Sequence, residues 1–352
     1  MEHLQQKLAE VQRKENLSNR PAFLGEGAWH YAFLATLKTG EQFVIRFPKE
    51  VAYGRKVEFD EKELRAEYGG TQAFYQFANQ VQPHICPSFF TYYIHPELTY
   101  TMETFAGSTI NLHALTETEA FEIGAQYGHF FMEMNKRPAP LEGIGYLAWD
   151  EHKNIIRGSH QSNISVFMEE ENHELLEDLK VFKHASGTLK IIEAKLKECL
   201  QTRNITEKNI SFTNQDTSPE NILIHHKQIK IIDPFPVLYY GHAFAGNFIN
   251  NYQTLFLALH NSPRYKKHEF TKVQPILEAV ANGFSNSYTG PDKEMGELVK
   301  REEFIQLFQT TVDHIRLSEG ELPMEKQLRY GTIDVIQRRI PAFLKKLEQF
   351  QL

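Results

Sequence analysis

The chain has 352 residues, 41% of them hydrophobic and 24% charged, with 20 glycines and 15 prolines. That is enough apolar material for a packed core, and it excludes disordered, collagenous and low-complexity architectures. Its 38 basic and 45 acidic side chains leave a net charge of -7, the opposite of what binding along a phosphate backbone requires, so general nucleic-acid binding is not expected.

At ~150 residues per domain the length corresponds to about two. The opening MEHLQQKLAEVQRKENLSNR reads as a polar helix without the apolar stretch of a signal peptide. No run reaches the roughly 18 apolar residues of a membrane span, so no membrane partner is expected. Strand texture follows: residues 23–24 lead into Gly25-Glu26-Gly27, then 32–37, a turn at Lys38-Thr39-Gly40, and 42–47. A helix is expected over 60–77, with Gly69-Gly70 as its weak point, then strands over 88–94 and 98–105. Beyond Gly107 the texture is helical. Thr116 and Glu119 form a capping box ahead of Ala120, Ile123, Tyr127, Phe130 and Met134 at helical spacing. Residues 138–187 have loop composition around an acidic run, and Ser186 is placed to cap a helix carrying Leu189, Ile192, Leu196 and Leu200. Strand texture returns at 210–212, 221–224 and 229–232, with a turn at His226-Lys227-Gln228. Beyond Asn250 the chain reads as helical, closing with 332–350. The two cysteines, Cys86 and Cys199, stand far apart. A disulfide scaffold or a cysteine zinc site is therefore not expected, and a reducing cytoplasm is the expected setting.

The chemistry gathers at the late hairpin, Asn214-Gln215-Asp216-Thr217-Ser218-Pro219-Glu220-Asn221 followed by Ile231-Ile232-Asp233-Pro234. Asp216 and Asn221 bracket a tight loop, and Asp233 ends the strand that pairs with the one after Asn221. Two carboxylates and a carboxamide at one end of a hairpin suit Mg²⁺, which takes hard oxygen ligands from protein and phosphate. A carboxylate kept off the metal can orient a hydroxyl or accept its proton. Asp-x-x-x-x-Asn by itself is usually a capped turn, and Asp-Pro an ordinary strand end. The ordered set is far less common: a glycine-containing hairpin, a basic strand residue, Asp-x-x-x-x-Asn, a short hairpin, then apolar-apolar-Asp.

That set resembles the aminoglycoside phosphotransferase and choline kinase superfamily, over residues 23 to 288. The resemblance implies an α+β, two-lobed protein-kinase-like fold. A β-rich nucleotide-binding lobe would span 1–105, and a larger, mainly helical lobe 106–352 would hold the catalytic loop and acceptor site. It implies that Asp216 faces the acceptor hydroxyl while Asn221 and Asp233 hold Mg²⁺ against the phosphates of ATP or GTP. Gly25 and Gly27 would form the phosphate-covering loop, with glycine allowing close approach and positive φ. Arg46 would take the place of the phosphate-binding lysine, a planar fork instead of a point charge, with Lys49 as fallback. Glu67 would be the acidic partner of Arg46, with Glu63 as alternative, and the backbone from Glu103 to Phe105 would receive the nucleobase. The implied activity is transfer of the γ-phosphoryl group to a hydroxyl of an aminoglycoside-like, aminoalcohol or sugar acceptor. No Gly-Lys-Ser/Thr supports a Walker-type loop, and no Ala-Pro-Glu element supports protein-kinase activity.

Departures from the family pattern define the alternative, a catalytically silent nucleotide-binding protein. The loop's usual His-Gly is Asn214-Gln215, and the usual Gly-Asp-Pro-x-x-Asp is replaced within Tyr240 to Asn247, where His242 or Asn247 could serve as polar anchors. The acidic run Glu169, Glu170, Glu171, Glu174, Glu177 and Asp178 reads first as a solvated helix face, and second as an attraction for a cationic acceptor.

Overall fold

The structure, a computed structural model, describes residues 2–182, 186–203 and 205–352. Gln42–Pro48 is rich in aromatic and β-branched residues, which favour extended backbone, and this strand lies at the centre of a five-stranded antiparallel sheet. The spatial order is Ala22–Glu26, His30–Thr36, Gln42–Pro48, Tyr100–Thr104, Phe90–Tyr93. Phe43, Ile45 and Phe47 share one face with Phe33, Ala35, Tyr100 and Met102, and bury against Leu8 and Val11 of the Glu2–Lys14 helix. Because side chains alternate along a strand, Arg46 and Glu103 fall on the other face, one diagonal step apart across the Val44↔Glu103 and Arg46↔Thr101 pairs.

On that second face lies the Glu61–Val81 helix, started by Asp60, whose carboxylate accepts the N–H groups of Lys62 and Glu63. The glycine pair that weakened the sequence case for this helix has a packing reason. A Cβ on Gly69 would stand 2.1 Å from Ile156 Cδ1, and one on Gly70 2.5 Å from Leu147 Cδ1. The Ile222–His225 and Gln228–Ile231 strands form the late hairpin, extended by Ser108–Thr109. Its two-residue turn puts both His226 and Lys227 at positive φ, 49° and 65°, the geometry of a tight hairpin turn without its usual glycine.

The helical part is organised by contact between backbones. Thr116 and Glu119 do form a capping box at the head of the Glu117–Asn135 helix. A Cβ on Gly124 would lie 1.9 Å from the Val280 carbonyl oxygen, and one on Gly128 2.3 Å from that of Phe284, so this helix packs directly on Gln274–Thr289. Tyr127, Phe131, Phe244, Phe248 and Phe284 stack around the contact. A second core joins Phe182, Ile192, Leu196, Phe304, Phe308 and Leu347. The helix expected after Ser186 begins on that residue and runs to Thr202; the side chain of Ser186 lies outside the described residues.

Residues 138–187 are more regular than their composition indicated. Ile144–Asp150 and Ile155–His160 pair as strands, and Ile164–Asp178 is a helix. A Cβ on Gly158 would stand 2.3 Å from the Ile144 nitrogen, so this glycine permits close strand approach. By mutual contact the chain divides into two compact units that interleave in sequence, where a single boundary near Ala106 was expected. One comprises 1–110, 147–157 and 218–236; the other 111–146, 158–217 and 237–352. Among the described residues no helix is long and apolar enough to cross a membrane.

Candidate functional site

In the first unit a polar cluster forms where the sheet's second face meets the 61–81 helix and the late hairpin. Arg46 places Nε and Nη2 on the same oxygen of Glu103, at 3.3 and 2.8 Å. The carboxylate is 3% exposed and the guanidinium 16%. Burial opposes the arginine's charge, but Glu103 and then Asp233 outweigh it and hold Arg46 protonated more firmly than usual. The expected pairing of Arg46 with Glu67 is therefore corrected. A partner on the adjacent strand, one diagonal step away, reaches the guanidinium at hydrogen-bond distance, and Glu67 stands apart, beside Asp233 and Glu63. Protein packed around the Glu67 carboxyl, then the Asp233 and Glu63 charges, push it up to about 7. Its residue is nonetheless open to water, which makes like-charge crowding the firmer of these causes.

Asp233 adopts φ 48°, an unusual backbone for a residue with a side chain and one that persists where its surroundings hold it. Its N–H donates to the Tyr75 hydroxyl at 3.0 Å, and its carbonyl accepts the Asn221 side-chain amide at 3.3 Å. Asn221 must present Nδ2 to a carbonyl, which leaves Oδ1 for another partner. The residues available to a cation are thus one amide oxygen and one carboxylate. No group of three or more His, Cys, Asp or Glu suited to a metal occurs among the described residues. This donor set fits Mg²⁺ of the kind that takes its remaining ligands from phosphate and water.

Gly25 and Gly27 sit at the first strand and its turn, where the strand carries an irregularity between Phe23 and Gly25. Neither has positive φ, contrary to the expected use of glycine here. What they provide is space: a Cβ on Gly25 would meet nothing within 4 Å, and one on Gly27 only the His30 carbonyl at 3.9 Å. Lys49, the fallback cation, is bound to Glu26 at 2.9 Å. At the segment expected to receive a nucleobase, Thr104 N–H donates to Phe89 and Phe105 N–H to Gln42. Those two donors belong to the sheet, and the Glu103 side chain points into the Arg46 cluster.

Asp216 belongs to the second unit, two residues before the chain returns to the first. Buried Asn214 braces its backbone from both sides: Asn214 Oδ1 accepts the Asp216 N–H at 3.1 Å, and Nδ2 donates to the Asp216 carbonyl at 3.0 Å. The residue standing where the family has histidine therefore supports the loop by its own means. Thr217 is anchored by Asn251 at 2.8 Å, the first residue of a π-helical turn over Asn251–Leu255, a distortion frequent at functional sites.

Other candidates resolve into structural roles. Glu171 is bound by Arg203 and Tyr239, Glu177 by Lys180 and Asp178 by Arg316, so half of the acidic run is committed within the chain. His242 meets the Tyr288 hydroxyl at 3.1 Å, and burial lowers its pKa to about 4. Sequence reasoning missed Tyr75 and Asn251. Tyr75 looks like one more apolar position of an amphipathic helix, and no sequence signal distinguishes it.

No protein-family model matches this chain, and no curated protein sequence matches it. Solved structures do. A thermostable mutant of aminoglycoside phosphotransferase APH(4)-Ia, in ternary complex with ADP and hygromycin B, is similar with a TM-score of 0.59 and 12% identity, over 98% of this chain and 99% of that one. Aminoglycoside phosphotransferase APH(4)-Ia gives 0.56 and 12%, over 97% and 98%. Amicoumacin kinase hAmiN in complex with AMP-PNP, Ca²⁺ and Ami gives 0.51 and 11%, over 97% and 92%. The fold is accordingly the α+β protein-kinase-like fold of small-molecule phosphotransferases, with a β-rich N-terminal part and a mainly helical C-terminal part.

Proposed function

We propose that the protein is a small-molecule kinase that transfers the γ-phosphoryl group of ATP or GTP to a hydroxyl of an aminoglycoside-like, aminoalcohol or sugar acceptor. One observation carries the reading. On a fold shared with phosphotransferases in complex with ADP and AMP-PNP, the Asn221 side-chain NH₂ and the Asp233 N–H and carbonyl are bonded within the protein, and among the described residues no hydrogen bond takes up the Asn221 amide oxygen or the Asp233 carboxylate. Asn221 and Asp233 would hold Mg²⁺, which supplies charge neutralisation to the phosphates when bound. Arg46 grips phosphate oxygens, fixed in place by Glu103. The open backbone at Gly25 and Gly27 lets a phosphate approach closely, and the backbone around Glu103 to Phe105 borders the nucleobase. Asp216, braced by Asn214, orients the acceptor hydroxyl and takes its proton. A cationic acceptor fits the net charge of -7, and a reducing, cytoplasmic setting fits two buried free cysteines.

The test is a phosphorylation screen over aminoglycosides, macrolides, choline-like alcohols and sugars, run with Asp216→Ala alongside. That variant is expected to lose about three decades in kcat, equivalent to roughly 4 kcal/mol, while nucleotide affinity by calorimetry is kept. Near-normal turnover in Asp216→Ala would refute the assignment. Nucleotide binding with no acceptor turned over would instead mark a catalytically silent nucleotide-binding protein.

A further inference from the structure

Resting on that reading, we infer that Tyr75 is a positioning residue that couples the phosphate-gripping Arg46 to the metal-ligand Asp233. Three bonds form the link. Arg46 donates to Glu103 Oε1, the Tyr75 hydroxyl donates to Glu103 Oε2 at 3.0 Å, and the same hydroxyl accepts the Asp233 N–H at 3.0 Å. The donor directions are forced, since an amide N–H can only donate and the phenol has one proton, which goes to the carboxylate. The two ends of the link lie on elements far apart in sequence, the third strand of the sheet and the end of the late hairpin. The Glu61–Val81 helix brings them together through this one side chain.

Packing alone does not call for a phenol at this position. Tyr75 is 2% exposed and its ring meets Phe90 edge to face at 5.4 Å, a contact that phenylalanine makes equally well. Removing the hydroxyl, by contrast, takes away the partner of the Asp233 N–H at a part-buried position. It also frees a backbone held at φ 48°, from which the peptide can relax and turn the carboxylate away. The bare phosphate grip of Arg46 keeps its own two bonds to Glu103. The loss therefore falls on the metal-dependent part of nucleotide binding.

The experiment measures ADP binding by calorimetry with Mg²⁺ and with EDTA, in wild type and Tyr75→Phe, alongside thermal melts. Wild type is expected to bind ADP more tightly with Mg²⁺. Tyr75→Phe is expected to lose tenfold or more of that enhancement while its affinity in EDTA stays within about twofold. An unchanged enhancement in a folded Tyr75→Phe overturns the inference and leaves the kinase reading standing. No enhancement in wild type removes both. If Tyr75→Phe does not fold, amide hydrogen exchange on wild type decides. Protection of the Asp233 N–H supports the link, and exchange as fast as that of an open loop overturns it.

Discussion

Arg46 and Arg203 are both drawn out of water by glutamate and neighboured by a tyrosine, yet they end in opposite states. Arg203 and Glu302 are 2% and 3% exposed. All three nitrogens of its fork are engaged: Nε and Nη2 on Glu302, Nη1 on Glu171, and Nη2 also on the Tyr239 hydroxyl, which in turn donates to Glu171. The Arg46 fork spends Nε and Nη2 on a single oxygen, and among the described residues no hydrogen bond takes up the Asn221 amide oxygen or the nearby Asp233 carboxylate. A buried charge network closed on itself is architecture. One of similar composition that leaves oxygens unused on one side has the means to take up a further charge.

Breaking the closed network should have the largest effect. Arg203→Ala leaves buried Glu302 and half-buried Glu171 without their cation and is expected to destabilise the protein by about 3–5 kcal/mol, read as a lower urea midpoint. Opening the other network should barely register on that axis. Arg46→Lys keeps the charge but loses the fork, so ADP affinity is expected to fall about tenfold, or ~1.4 kcal/mol, with the urea midpoint nearly unchanged. If the two variants change the same observable to the same extent, the contrast fails. The smallest effect concerns Glu303, next to the closed network, whose carboxyl burial pushes up to about 7 despite Lys300 and Lys346. The unfolded chain gives up that proton near the ordinary value of about 4.5 while the folded chain keeps it. Between those values the folded state therefore binds more protons, and stability falls as pH rises through the window. Glu303→Gln should flatten that slope, measured as urea midpoints at pH 5 and pH 8.

Elements with strong local signals were legible in the sequence. The Thr116–Glu119 capping box and the start of the helix after Asp60 stand where residue types alone placed them, and the turn expected at His226-Lys227-Gln228 is there but one residue shorter, with Gln228 opening the second strand. What the sequence did not carry depends on register and on contacts between distant segments. Glu67 and Glu103 are equally plausible partners for Arg46 in one dimension, and only the Arg46↔Thr101 pairing decides for Glu103. Asn214 read as a departure from the family loop, because a side-chain amide bonded to both backbone groups of Asp216 leaves no mark on composition. The strands at 144–160 were hidden by glycines whose purpose is visible only with the partner strand in place.

The interleaving of the first unit has a consequence for biosynthesis. Its sheet and helix are complete by residue 110, but its Asn221 and Asp233 arrive only with 218–236, after most of a stretch belonging to the other unit has been made. On the ribosome the early segment must wait for more than a hundred further residues before Tyr75 meets Asp233, a pairing of high sequence separation that forms late. A fragment cut near residue 106 would therefore carry the arginine and glycines of the candidate site without Asn221 and Asp233, the proposed metal ligands.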